Sequence, residues 1–542
     1  MNGWLQHLPI LPIAVPLMAG ALLVLLKESR RKTRLTLSFA SVLLQIFVAY
    51  QILQLTKGQM PDLWPQNIAV YLVGDWPAPF GIVLVADRLS AVMLLLTSIL
   101  ALAALTYSTA RWEKAGVHFL PLFQLLLMGL NGAFVTGDLF NLFVFFEVML
   151  CASYGLMLHG SGELRVTAGL HYIATNLVAS FLLLIGIALI YGVTGTLNMA
   201  DLAIRAGDLS GGDRRLFETA AAILGVAFLI KAAAWPLNFW LPNAYGNACA
   251  PVAAVFSIMT KVGIYALLRL GSLLLPTGAP AAFGGEWMFP VGVATLVFGS
   301  IGMLATQQTE RMIGYCVIMS SGTLLAALGM PGVTLTAPAL FYLLTSVLAM
   351  GAFYLLIEMI ERTRTFGADV LAVSMEAFDL DDPESPDRSD DVVGVAIPAA
   401  LAFLGMAFFC CALLVAGLPP LPGFVAKFSM LSAALQTSIT DTPSAAAWTL
   451  VATVLLSGFA GIIALTRAGI RLFWSSDIVV PRLRVSEAGS VGILLLSCIA
   501  LAIWAGPVMD FLEDTALLLD RPTAYIDAVM TSQTIRQLGG TP

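Results

Sequence analysis

The sequence FLIKAAAWPLNFWLPNAYGNACAPVAAVFSIMTK, from Phe228 to Lys261, decides how this chain folds. It is apolar enough to lie in a lipid bilayer, yet Lys231 and Lys261 stand near its ends, and Pro236 and Pro242 interrupt helical hydrogen bonding between them. A bare ammonium group is costly in the middle of a bilayer. A broken helix is tolerated there only against other protein or a wet cavity. The stretch therefore predicts a discontinuous membrane helix beside an ion or proton path.

The composition of the whole chain agrees with a membrane location. Its 542 residues are 59% hydrophobic and only 11% charged, whereas soluble domains carry about 25% charged residues. The formal net charge of -6 gives no reason to expect nucleic-acid binding. The six cysteines lie in apolar stretches without a C-x-x-C pair, and the four histidines form no metal-binding motif. We therefore expect a polytopic membrane protein with no metal, no cofactor and no large soluble domain.

Hydrophobic segments of about 20 residues, the length that spans a bilayer as a helix, recur along the chain. We count about fourteen and predict an all-α fold. Their approximate positions are 5–26, 35–55, 82–107, 118–136, 139–158, 168–193, 216–241, 250–274, 289–306, 312–330, 335–360, 393–432 (broken), 447–472 and 489–512. The first has no basic region before it and KESRRKTR after it, so we expect a retained helix rather than a cleaved signal peptide. Most loop lysines and arginines lie on the same side of the membrane as that basic loop. Cytoplasmic loops carry the excess of basic residues, so this side is the cytoplasm and both termini are predicted to lie outside it.

A second broken segment, GLPPLPGFVAK, lies in span 12 from Gly417 to Lys427. Pro419, Pro420 and Pro422 break the helix, as Pro236 does in span 7. The two broken spans are five spans apart, which predicts two units of five helices each. A unit with an odd number of membrane helices ends on the opposite side of the membrane from where it begins, so the copy that follows it must be inverted. Inverted repeats with discontinuous helices at corresponding positions indicate the site of a secondary transporter.

The predicted organisation has five parts. They are N-terminal helices (1–117), a first repeat (118–275), a second repeat (289–473) with an acidic cytoplasmic loop (364–393), a last helix (489–512) and a polar tail (513–542).

Three of the seven lysines, Lys231, Lys261 and Lys427, fall inside apolar spans, whereas the loops mostly use arginine. A buried lysine changes its protonation readily, but an arginine stays protonated. Lysine therefore suits a proton relay. The alternative is that these lysines extend to the membrane surface, which is hard for Lys261 because it lies about twelve residues into its span.

The one carboxylate near mid-span is Glu147, in GDLFNLFVFFEVMLCASYG of span 5. Without a nearby cation it would be protonated in lipid. Lys231 is its candidate partner, and breaking such a pair would couple a conformational change to lysine deprotonation. The alternative is a static ion pair that holds helices together.

Weaker candidates surround these four residues. Asp138 either takes part in transport or caps span 5, and His171 either relays protons or lies at the interface. Further charged residues are expected near the membrane surface. They are Asp87, Arg88, Arg269, Glu358 and Glu361.

Five stretches together resemble a known family. They are GDLFNLFVFFEVML, VTGTLNMADLA, FLIKAAAWPLNFWLPNAY, TKVGIYALLR and GLPPLPGFVAKF, and they are similar to the antiporter-like membrane subunits of Mrp-type antiporters, respiratory complex I and membrane-bound hydrogenases. The D subunits of Mrp-type antiporters, including the Pha system, are the most similar. The resemblance implies a fourteen-helix fold and a mid-membrane row of charges at Glu147, Lys231, Lys261 and Lys427.

Span 11 departs from this pattern. Many relatives carry a histidine or lysine near its middle, whereas here YLLTSVLAMGAFYLL offers the hydroxyls of Thr345 and Ser346. We expect these hydroxyls and water to bridge Lys261 and Lys427, or the route to differ.

The resemblance implies a transporter subunit rather than an enzyme. We expect an inner-membrane component of a bacterial multisubunit antiporter that exchanges H+ for Na+ or K+, with other subunits and membrane lipids as partners and the termini in the periplasm. One alternative is a proton-pumping subunit of a complex I-like oxidoreductase or hydrogenase. Another is a transporter that works as a single chain.

Overall fold

The computed structural model describes residues 5–59, 64–116, 118–160, 162–274, 287–362, 398–436, 443–474 and 483–533. Within these ranges, twelve helices are long and apolar enough to cross a membrane, which confirms the predicted helical membrane fold. The count of fourteen spans and the inverted repeat remain predictions. The acidic loop 364–393 lies outside the described residues.

Nineteen α-helices follow one another in the described parts of the chain. They are α1 (Leu11–Leu25), α2 (Arg31–Gln54), α3 (Arg88–Ser108), α4 (Phe119–Val135), α5 (Leu139–Met157), α6 (Glu163–Thr194), α7 (Met199–Asp208), α8 (Gly211–Lys231), α9 (Leu241–Asn247), α10 (Ala250–Leu274), α11 (Met288–Ala305), α12 (Thr309–Leu328), α13 (Thr336–Glu361), α14 (Ala399–Ala416), α15 (Pro422–Leu435), α16 (Ala445–Phe473), α17 (Val485–Ile503), α18 (Ala505–Leu519) and α19 (Pro522–Met530).

Both predicted helix breaks are present. Helix α8 ends at Lys231 and the chain becomes helical again only at Leu241, and α14 ends at Ala416 before α15 begins at Pro422. Gly417 leaves α14 with a φ of 77°, a conformation that favours glycine. The two lysines differ in their positions, because Lys231 precedes its break and Lys427 follows its break. The two broken helices are therefore not simple copies of each other.

The middle of the molecule is formed by α10 and α13. In the most apolar 18-residue stretch of α10, 94% of the residues are buried, and in that of α13 all of them are, although both helices are long enough to span a bilayer. Helices that are hydrophobic on all sides and yet buried lie inside a bundle rather than on its surface. Lys261 lies on α10, so it stands deep inside protein rather than facing lipid.

Two regions differ from the sequence-based prediction. Strand β1 (Ala69–Leu72) pairs antiparallel with β2 (Val83–Ala86), so the third membrane helix begins at Arg88 rather than at residue 82. The predicted last span divides near Trp504 into α17 and α18. Helix α19 then occupies part of the expected polar tail, and its Tyr525 is only 5% exposed.

Close contact between α11 and α12 depends on glycines in both helices. A Cβ atom added at Gly299 would lie 2.7 Å from the backbone nitrogen of Met319. We expect Gly299→Leu to separate the helices and to destabilise the protein by about 1–3 kcal/mol or more, as overpacking of a core does. The measurement is the thermal stability of the purified complex. Gly405→Leu in α14 is the control, since a Cβ there meets nothing within 4 Å, and equal losses in both variants would contradict the prediction.

Candidate proton relay site

Lys231 is the last residue of α8 and is 4% exposed. Its ammonium Nζ donates a hydrogen bond to Ser180 Oγ of α6 at 3.3 Å and lies 5.1 Å from the centroid of the Phe146 ring. A cation over an aromatic face is stabilised by the ring quadrupole, more strongly away from water. The amine is thus held by one neutral hydroxyl and one aromatic ring.

Glu147 follows Phe146 on α5 and is half-buried. No ion pair of 4.0 Å or less joins it to Lys231, so the direct contact predicted from the sequence is not formed in this conformation. The residue before it, Phe146, instead provides the ring that the ammonium of Lys231 contacts. Glu147 Oε1 is buried and has no hydrogen-bond partner among the described residues. Buried polar atoms generally have a partner, so this carboxylate has capacity for one more donor.

Lys261 lies in the middle of α10 and is 1% exposed. Its Nζ donates to Ser321 Oγ of α12 at 3.0 Å. Within the described residues, no carboxylate forms an ion pair with this lysine. An isolated buried amine bonded to a neutral hydroxyl can exist in both protonation states, because no fixed counter-charge holds it in the charged form.

Lys427 lies on α15 and reaches back across the helix break. Its Nζ donates to the carbonyl oxygens of Val415 at 3.1 Å and Ala416 at 3.0 Å. These are the last two residues of α14, where the carbonyls have no partner within the helix and carry the negative end of the helix dipole. The break predicted from the prolines therefore creates the binding position of this ammonium.

The hydroxyls expected to bridge Lys261 and Lys427 bond instead to their own helix. Thr345 Oγ1 donates to the carbonyl of Phe341 at 3.0 Å, and Ser346 Oγ donates to the carbonyl of Leu343 at 3.0 Å. Neither bond joins the two lysines, so this bridge has no direct support in the hydrogen bonding.

Helix α12 carries further polar side chains near Ser321, the residue that binds Lys261. The hydroxyl of Tyr342, in α13, lies beside Ser320 and Thr323. Ser320 Oγ is buried and makes no direct hydrogen bond within the described part of the chain. The adjacent serines Ser320 and Ser321 of span 10 are visible in the sequence as polar residues on this helix, whereas span 11 alone does not point to them.

The weaker candidates have local roles in this structure. Asp138 is the N-cap of α5, where Oδ1 accepts a hydrogen bond from the backbone N–H of Asn141 at 2.8 Å. Burial raises the pKa of this carboxyl, although the backbone donors oppose the shift. His171 is exposed on α6, and its Nδ1 lies 2.9 Å from the Thr167 carbonyl of the same helix. Neither residue contacts the buried lysines in the described hydrogen bonds.

The prolines lie at the breaks as predicted. Pro236 and Pro419–Pro420 fall in the non-helical segments, and Pro422 occupies the first turn of α15, where its missing N–H is tolerated.

Two charged residues expected at the surface form a buried pair. Arg269 of α10 donates to both carboxylate oxygens of Asp87, at 2.6 and 2.8 Å, and both side chains are largely buried. Burial alone would raise the pKa of Asp87, but the charge and hydrogen bonds of Arg269 outweigh it, so the pKa lies below its ordinary value. Arg88 forms an ion pair with Asp514, with 2.7 Å between Nη1 and Oδ2. The pairing across 182 residues could not be predicted from local sequence.

Glu358 stands at the opposite end of α10. Its Oε2 accepts from the Ala250 backbone N–H at 3.2 Å and from Trp112 Nε1 at 2.8 Å. A carboxylate at a helix N-terminus is favourable. A cavity of about 340 Å³ opens here, lined by Glu358, Arg362 and Tyr354 among others, and it has room for several water molecules. Water can therefore approach the N-terminus of the helix that carries Lys261.

The structure describes no group of three or more histidine, cysteine or acidic side chains that would hold a metal ion. The fold and site together define a polytopic membrane protein with three lysines buried inside its helix bundle. The family model described as "NADH:quinone oxidoreductase/Mrp antiporter, TM" matches residues 136–457. The chain belongs to this family, as the sequence motifs predicted.

Two relatives that align along the full length of the chain are named as antiporter D subunits. The chain is 53% identical over 539 residues to a protein of Rhizobium meliloti (strain 1021) that is named as a probable K(+)/H(+) antiporter D subunit, covering 98% of this chain and 99% of that protein. It is 31% identical to the Na(+)/H(+) antiporter D subunit of Alkalihalophilus pseudofirmus, covering 97% and 100%.

Solved structures give the same fold. A chain of the Mrp complex from Dietzia sp. DQ12-45-1b superposes with a TM-score of 0.80 at 28% identity, covering 97% of this chain and 99% of that chain. A chain of respiratory complex I from Thermus thermophilus superposes with a TM-score of 0.72 at 21% identity, covering 95% and 99%. The second likeness shows the fold alone.

Proposed function

We propose that this chain is the D-type membrane subunit of a multisubunit monovalent cation/proton antiporter. The observation that carries the proposal is the set of three buried amines, Lys231, Lys261 and Lys427, each bonded to hydroxyls or carbonyls rather than to a carboxylate. The relatives named as K+/H+ and Na+/H+ antiporter subunits support the same activity. It is a secondary transporter subunit of a bacterial inner membrane, with its termini on the periplasmic side.

The proposed proton route runs through Glu147, Lys231, Lys261 and Lys427. A protonated lysine gives its proton to a hydroxyl or water on one side and regains one from the other side. Serine hydroxyls both donate and accept hydrogen bonds, so Ser180 and Ser321 can pass a proton without holding a charge. The negative charge of Glu147 favours the protonated form of Lys231, and its movement towards or away from the amine changes that preference.

A proton-pumping subunit of a complex I-like enzyme uses the same fold. The full-length match at 53% identity to a protein named as a probable antiporter subunit favours the antiporter. The likeness to the complex I chain is at 21% identity and supports a shared fold alone.

The test uses cells that lack their own antiporters and express the complete set of antiporter subunits encoded beside this chain. In everted membrane vesicles with an imposed pH gradient, we expect added Na+ or K+ to release protons, and we expect no release when this chain is deleted. Equal proton release with and without this chain would contradict the proposal. Proton pumping driven by NADH, with no response to Na+ or K+, would favour the enzyme subunit.

A further inference from the structure

An apolar groove of about 360 Å³ lies on the side of the molecule between α2, α3, α13, α17 and α18. Its floor includes Leu344 and Leu348 of the central helix α13, and Val92 and Ile99 of α3 form one wall. Pockets of this size, mostly apolar with a few placed polar groups, are typical of binding sites for small organic molecules.

One end of the groove carries a cation. Lys57 lines the groove, and its Nζ lies 5.6 Å from the centroid of the Phe511 ring. Arg88 lies 5.2 Å from the same ring, but Asp514 neutralises it through an ion pair of 2.7 Å. Lys57 is exposed and forms no ion pair within the part of the chain that the structure describes. Among the described residues, the mouth of the groove therefore presents one positive charge, on Lys57, that no ion pair neutralises.

The length of the groove matches one leaflet of a bilayer. Arg88, the first residue of α3, lies at the charged end, because its Nε donates to the carbonyl oxygen of Thr56, the residue before Lys57, at 3.1 Å. The apolar wall extends to Ile99, near the middle of α3. Eleven residues of helix rise about 16 Å, which is close to half of the roughly 30 Å hydrocarbon core. A membrane-spanning helix of another subunit would extend well beyond a groove of this length. A single acyl chain with its headgroup at the surface needs only this length.

We propose that this groove binds one anionic phospholipid, with an acyl chain along α3 and α13 and its phosphate against Lys57. Basic positions between membrane helices attract anionic headgroups, and the lining residues offer hydrocarbon contact to the chain. The floor residue Leu344 precedes Thr345, so the bound lipid packs against the helix that flanks Lys261. This assignment depends on the membrane fold and not on the proposed transport activity.

The test is native mass spectrometry of the intact purified complex. Phosphatidylglycerol and phosphatidylcholine with the same acyl chains are added after delipidation, and inorganic phosphate is added as a competitor. We expect the complex to retain phosphatidylglycerol preferentially. Lys57→Ala should lower that preference by about fivefold, the effect of one lysine near a membrane surface, and inorganic phosphate should not displace the lipid. Lys114→Ala, at another exposed lysine, should leave the preference unchanged.

A second pair of variants tests the apolar part. Val92→Trp places an indole in the groove and should remove the retained lipid, whereas Leu177→Trp, on the exposed face of α6, should not. Equal lipid retention in these two variants would overturn the proposal, as would an unchanged preference in Lys57→Ala. Displacement by inorganic phosphate would reveal an anion site only. Cross-linking of Val92→Cys to another subunit of the intact complex would show a protein occupant instead.

Discussion

We expect Lys231→Ala and Glu147→Ala each to reduce cation-dependent proton movement by at least about a hundredfold, the contribution that a positioned proton-transfer group commonly makes. Lys231 is held by Ser180 and the Phe146 ring, and Glu147 is the next residue of α5 after that ring. Alanine at position 231 removes the amine that carries the proton as a positive charge beside Ser180. Removing the carboxylate takes away the group that favours protonation of Lys231.

The protein should still assemble in these variants. A buried charge is costly to keep, so replacing Lys231 by a small apolar residue removes an unfavourable group and leaves a cavity. The measurement is proton release in everted vesicles, normalised to the amount of assembled complex. Lys114→Ala is the control because it removes an exposed lysine. Wild-type antiport in either Glu147→Ala or Lys231→Ala, at wild-type expression, would exclude that residue from the route.

The sequence predicted the parts of this site that depend on local chemistry. Prolines fix where spans 7 and 12 break, and a lysine in an apolar segment is recognisable without a structure. The binding of Lys427 to the carbonyls of Val415 and Ala416 follows from the same break, because the break leaves those carbonyls without helical partners.

The sequence could not predict contacts that depend on how helices rotate against one another. The sequence made Lys231 the candidate partner of Glu147, yet the packing of α5 against its neighbours places the Phe146 ring on the amine instead. The ion pair of Asp87 with Arg269 joins residues 182 positions apart, and only the folded bundle brings them together. The hairpin of β1 and β2 was not predicted from the sequence, because its strands are short and apolar and resemble the ends of membrane spans.

Lys261→Arg should abolish antiport as completely as Lys261→Ala, although it preserves the positive charge. Lys261 is 1% exposed and its only described hydrogen bond goes to Ser321, so its proposed role requires it to release and regain a proton. Arginine stays protonated in proteins and cannot do this. If the positive charge only organises water or holds helices together, arginine would supply that charge, and the variant would keep partial activity.

The comparison of these two substitutions therefore separates a relay from a static charge. Proton release in everted vesicles is measured for both variants alongside the amount of assembled complex, since the larger guanidinium can disturb packing. Lys114→Arg is the matched control at an exposed position. Ser321→Ala removes the hydroxyl that accepts from Lys261, leaves the amine in place and should lower the rate less than either lysine variant. If Lys261→Arg assembles and keeps substantial antiport while Lys261→Ala does not, Lys261 acts as a permanent charge and the proton takes another route between α8 and α15.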